Sequence, residues 1–206
     1  MAELELPGHM MAWLLLAALP LLLAACTAFT KISIVLQALR VGLGAQTLLP
    51  FGSMFALSLV LTALAMAPVG EALWLGIEDA GGLAALELAP AAAWLELLGP
   101  LHEFLAEHAS PEDRRYFAEL AGLAADDHPL ALVPAFMIGE LARGLELAVM
   151  VLLPFVVVDL VAAQVMVLLG LGQTPSAVLA LPAKLLLFVT ASGWQTIVGG
   201  LIEGYR

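Results

Sequence analysis

The chain has 206 residues, 63% of them hydrophobic and 12% charged, with a formal net charge of −11. That balance exceeds the soluble range and indicates an integral membrane protein, and the acidity excludes a nucleic-acid binder because little is present to neutralise phosphates. A single cysteine, Cys26, excludes a disulfide within the chain.

Residues 1–9 form a short polar lead with Glu3 and Glu5. Residues 10–30 carry no charge, enough for one membrane span with Pro20 near its centre. The run LLLAAC ending at Cys26 looks like a lipoprotein cleavage box, but its acidic lead lacks the positive start of a secretory signal. Lys31 and Arg40 are read on a helix continuing this first span, as interfacial anchors that weakly place the next loop in the cytoplasm. Gly42, Gly44 and Pro50 mark that loop. A second uncharged span is expected over residues 51–70, with Gly52, Ser53, Ala56, Ser58, Thr62 and Ala63 allowing close helix approach.

The acidic residues concentrate in the middle. Residues 71–127 hold 12 Asp or Glu against Arg114 and Arg115, whereas the other 149 residues share six acids and five bases. This segment reads as water-facing and helical, broken at Gly81-Gly82, Pro90 and Gly99-Pro100. Leu101, Phe104, Leu105 and His108 recur at helical spacing. Ser110-Pro111-Glu112-Asp113 is a helix start, and Gly122 is a C-cap. Tyr116, Phe117 and Leu120 form an apolar face expected to pack on a neighbour. His102, Glu103, Glu107 and His108 invite a metal reading. On one helix, however, positions 102 and 108 diverge too far to ligate together without a third element. No nucleophile–base order, phosphate loop or paired-carboxylate cleft stands out, so neither an enzyme nor a cofactor is expected.

Pro134 is read as the start of the third helix, where Glu140, Arg143 and Glu146 are spaced so that the arginine can pair with either acid. Residues 147–171 hold one carboxylate, Asp159, and residues 178–200 hold one charge, Lys184. Each run is long enough to cross a bilayer, and GLGQTPS between them suits a hairpin turn. Folding about residue 173 brings Lys184 to within about one turn of Asp159, an offset that a snorkelling lysine covers. Pro154 and Pro182 each remove a backbone donor and should bend their helices. The expected architecture is all-α, four hydrophobic runs in helical hairpins with an acidic extracytoplasmic middle: residues 1–70, 71–131 and 132–206 in one structural unit.

Five segments carry a resemblance: FTKISIVLQALRVGLGAQ, LHEFLAEHASPEDRRYFAELA, PAFMIGELARGLELA, PFVVVDLVAAQV and LPAKLLLFVTASGWQTIVGGL. In order and over most of the chain, they resemble the type III secretion export-gate (SctR/FliP) family. Departures fall at Gly139, where the family usually has Ser or Thr, and at Leu145, usually Phe. The resemblance implies a core subunit of the channel through which unfolded polypeptides leave the bacterial cytoplasm. It also implies a pentameric ring with other export-gate subunits, set at the outer side of the inner membrane despite a sequence that reads as four spans, and in contact with lipid. Flagellar members commonly start with a cleavable basic signal, which favours the injectisome here; a flagellar subunit is the alternative. A small-solute or proton transporter using Asp159 and Lys184 is a further one. The family's hairpin tip is methionine-rich, but residues 166–175 read MVLLGLGQTP. Met166, Leu168, Leu169 and Leu171 are therefore expected to form the seal instead.

Overall fold

The computed structural model describes residues 8–82, 84–85 and 90–205, and Glu3 and Glu5 of the polar lead lie outside them. Among the described residues there are helices and no strands. We number the helices α1 (Gly8–Ala25), α2 (Phe29–Gly42), α3 (Phe51–Ala65), α4 (Ala67–Asp79), α5 (Ala91–Leu97), α6 (Gly99–His108), α7 (Pro111–Leu120), α8 (Pro129–Leu168), α9 (Ala177–Thr190) and α10 (Gly193–Glu203). They fall into two compact units. The first takes the described residues up to Ala28 with Met66–Glu140, and the second takes Phe29–Ala65 with Leu141 onward.

The uninterrupted runs expected from hydropathy are cut in three places. The first stops at Ala25, and α2 starts afresh at Phe29. There the Thr27 hydroxyl donates to the Leu23 carbonyl, so a side chain competes for the acceptor of the next helical turn. The second run breaks at Met66, because Pro68 in the first turn of α4 has no N–H to give. It then continues past Gly70 to Asp79, further than the expected span. The fourth breaks between Thr190 and Gly193, and its halves are bent by 61°.

The third run does the opposite. Its helix begins at Pro129 rather than Pro134 and runs 40 residues, through Pro134 and Pro154. His128 starts it: Nδ1 accepts from Leu130 N at 3.2 Å, and the carbonyl accepts from Ala131 and Leu132 at 2.8 and 2.9 Å. α8 is the one described unbroken helix long and apolar enough to cross a membrane.

In the first unit, α4, α5 and α6 pack together and α1 lies against α5. Phe104 is buried, 5.6 Å from Phe136 and 4.4 Å from His108 between ring centroids. The starts and stops follow local chemistry. Ser110 Oγ accepts from Glu112 N at 3.3 Å, with Pro111 in the first turn of α7. Gly122 (φ 66) ends α7, with Leu123 N bonded to Ala118 O at 2.8 Å and Gly122 N to Glu119 O at 3.1 Å. That is a Schellman stop. Tyr116 and Leu120, expected to pack, are exposed in the single chain.

In the second unit, α3 lies on α2 through Met54, Ser58, Leu61, Thr62 and Ala65. Ser58 and Thr62 return their hydroxyls to carbonyls one turn back, at 2.8 and 2.6 Å, so small polar residues are buried without losing a bond. Leu39, Leu43, Ala45, Phe155 and Phe188 form a core cluster, flanked by Leu49, Val151, Leu181, Leu185 and Ile197.

Candidate functional site

Between α8 and α9 the chain turns over residues 169–176. Gly170 (φ 72) supplies the left-handed residue, Leu171 N donates to Met166 O at 2.9 Å, and Gly170 N donates to Val167 O at 3.0 Å. This second Schellman stop ends an apolar helix abruptly and leaves bulk at its tip. Leu168 is 84% exposed, and Leu169 and Leu171 are also exposed, whereas Met166 is buried. The tip is therefore three bare leucines with the thioether beneath them.

The two charges of the hairpin meet below that tip. Lys184 Nζ lies 2.6 Å from Asp159 Oδ2 and also donates to the Gly42 carbonyl at 2.8 Å. The pair is asymmetric, since the Lys184 side chain is 7% exposed and that of Asp159 is 49%. A buried ammonium thus has two oxygens, one charged and one at the C-terminal end of α2, where the helix dipole favours a cation. Gly42 makes this approach possible. A Cβ there would lie 2.8 Å from both Leu152 Cδ2 and Phe155 Cδ2. Arg40, in the last turn of α2, donates Nε to the Leu49 carbonyl and Nη2 to that of Gln46 at 3.1 Å. Two cations therefore satisfy carbonyls at and beyond the α2 terminus that would otherwise be left open.

Glu140, Arg143 and Glu146 do not share one environment: Glu140 is fully buried, while Arg143 and Glu146 are exposed on the same helix. Lys31, read as an interfacial anchor, is instead buried at 4% exposure, with Nζ 3.5 Å from the centroid of the Tyr205 ring. Its spacing carries the signal. Lys31, Val35 and Leu39 repeat every fourth residue, and that stripe is the buried one. Gly144 of α8 accommodates it, since a Cβ there would come 3.2 Å from Lys31 Cα. The Gly42 carbonyl has no comparable signal, as it is 142 residues from Lys184.

His102 Nε2 bonds the Asp127 carbonyl at 2.8 Å and His108 Nδ1 the Phe104 carbonyl at 2.9 Å. Each ring thus gives one nitrogen to a backbone carbonyl. Among the described residues no group of three or more His, Cys, Asp or Glu is arranged to hold a metal.

Comparison with known proteins matches the FliP family profile to residues 11–201. The chain is 34% identical to "Probable translocation protein y4yL" of Sinorhizobium fredii, over 100% of this chain and 97% of the relative. It is 34% identical to "Flagellar biosynthetic protein FliP" of Caulobacter vibrioides, over 91% of this chain and 71% of the relative. With "Yop proteins translocation protein R" of Yersinia pestis it shares 31% identity, over 93% of this chain and 92% of the relative.

Proposed function

The chain belongs to the FliP family, and on that premise we propose that it is a core subunit of a type III export gate, forming part of the channel for unfolded polypeptides. Relatives named for translocation and for flagellar biosynthesis match at the same 34% identity, so the proposal is the gate that both share. It sits in the bacterial inner membrane with the acidic residues 71–131 on the extracytoplasmic side. It assembles with copies of itself, five by the resemblance, and with the other gate subunits. α8 supports a membrane setting: Val149, Leu153, Val156, Val157, Leu160 and Val161 are exposed along it, a surface that needs lipid or protein against it.

The observation that carries the channel reading is the bare leucine tip. A path for extended polypeptide needs walls without fixed substrate chemistry and a seal at rest, which apolar side chains supply by dewetting or occlusion. Leu168, Leu169 and Leu171 project from the turn and are the closing surface, with Met166 supporting them from inside. Methionines suit such a seal because they repack, and here the freedom comes from Gly170 and Gly172 around stiffer leucines. Energy for transport comes from partner subunits in this scheme, and the chain contributes a passive gate.

The test is a triple substitution of Leu168, Leu169 and Leu171 by glycine in the assembled complex. Cells producing it should leak small solutes at rest. A matched triple glycine substitution at Leu185, Leu186 and Leu187 should impair folding without opening an assembled gate. An assembled tip variant that stays tight places the seal elsewhere.

A further inference from the structure

We propose that residues 191–193 are a hinge with two states: the bent arrangement of α9 and α10, and a straight one in which they fuse into one helix. The inference needs only the geometry of the second unit. Ser192 has φ 51 and ψ 42, and it is the one described non-glycine residue with positive φ. L-residues occupy that region at a cost, so something else must hold it there. The bonds on either side are already helical or nearly so. Ala191 N donates to Leu187 O at 3.0 Å and Thr196 N to Ser192 O at 3.1 Å. Returning Ser192 to the right-handed region, with Ala191 turning from ψ 7 to helical ψ, would join the two ladders, and no proline lies between residues 183 and 203 to prevent it.

What holds the bend is a wedge. The place where residue 193 would carry a Cβ is filled by the Phe188 ring, whose Cδ2 and Cε2 lie 2.3 Å from that position. Trp194 backs the ring edge-on, with centroids 5.2 Å apart and planes at 84°. Room for the alternative is present as well. A cavity of about 380 Å³ borders the break, lined by Phe188, Ala191, Gly193 and Thr196 with Leu147 and Met150 of α8. Phe188, packed on one side in the core cluster, has open volume on the other.

The two states differ in reach. Fused, the 27 residues from Ala177 to Glu203 make a helix roughly 40 Å long, enough for a ~30 Å hydrocarbon core, while neither half alone is long enough. Straightening would turn a broken pair into one helix long enough for a full span.

Spin labels at Val178→Cys and Glu203→Cys, in a Cys26→Ala background diluted with unlabelled chain, measure this directly. At 1.5 Å rise per residue, the backbone separation is about 37 Å straight and about 32 Å when bent by 61°. The parent should be mainly short, and Ser192→Gly entirely so. Ser192→Val, which disfavours positive φ, and Gly193→Ala, which evicts Phe188, should each move population to the longer distance. One folded variant that lengthens supports the hinge. Short distances in every variant that folds, or failure of both to fold, overturn it, the latter by marking the break as a fixed part of the fold.

Discussion

Residues 129–168 and residues 177–203 are both apolar enough to cross a bilayer, yet one is a single helix of 40 residues and the other is two, bent by 61°. Proline does not separate them. α8 runs through Pro134 and Pro154, and α9 runs through Pro182 without ending there. Each proline deletes one bond, and helical neighbours restrain the chain on both sides. The break falls at Ser192-Gly193 instead, where a side chain five residues back occupies the space of a missing Cβ. Packing of a neighbouring ring, rather than loss of a donor, decides where the fourth run stops being one helix. The two runs also treat their charges differently: Asp159 is half exposed on α8, Lys184 is buried on α9.

That difference in charge burial yields the largest expected effect. Asp159→Ala leaves a buried ammonium with only the Gly42 carbonyl; loss of one partner from a fully buried pair costs about 3–5 kcal/mol, and water reaching the Asp159 side puts this loss at the lower end of that range. Lys184→Ala strands a carboxylate that is half open, so it should cost less. Replacing both by apolar residues of similar size should be milder than Asp159→Ala. Unfolding of the full chain in mild detergent, run as a double-mutant cycle, checks the order. Equal losses for the two single variants would remove the asymmetry from the comparison.

Helix ends were the most legible part of the fold. Ser110-Pro111, Gly122 and the glycines of GLGQTPS act within a few residues of where they stand, and the structure places starts and stops there. The 169–176 turn sets Asp159 near Lys184 for the same local reason. Helix breaks were far less legible. Thr27 back-bonding and the Phe188–Gly193 wedge depend on conformation, and uncharged hydropathy runs straight through both. Gly42 is the clearest case of a hidden participant. It reads as a loop glycine, but its carbonyl is the second ligand of Lys184 and its missing side chain admits Leu152 and Phe155.

A smaller effect tests that role of Gly42. In Gly42→Ala the new methyl would sit 2.8 Å from Leu152 Cδ2 and Phe155 Cδ2, below any ordinary contact. Leu152 has rotamers to retreat into, but Phe155 belongs to the buried cluster with Leu39 and Phe188. Overpacking of this kind costs about 1–3 kcal/mol. If the strain is relieved by shifting the α2 terminus away from Lys184, Gly42→Ala and Lys184→Ala will overlap. The double variant should then lose less than the sum of the two. Full additivity would mean that the clash is absorbed by the side chains and the carbonyl stays in place.

The smallest effect concerns Ser192, and its sign follows from two opposed magnitudes. Holding an L-residue at φ 51 costs roughly 1–2 kcal/mol, which glycine would not incur. Glycine in turn loses more backbone freedom on folding, roughly 0.5–1 kcal/mol relative to alanine. Ser192 offers nothing else to offset the strain, because its side chain makes no capping bond to α10. The balance favours Ser192→Gly by about 0.5–1 kcal/mol. For a chain of this length that raises the unfolding midpoint by about 1–4 °C. The same substitution at a right-handed position of α8, such as Ala148→Gly, should lower the midpoint, since there glycine brings only its entropic cost and removes a buried methyl. Opposite shifts in thermal unfolding would show that the fourth run is bent against its backbone preference while the third follows its own. A fall in both would leave the bend without stored strain.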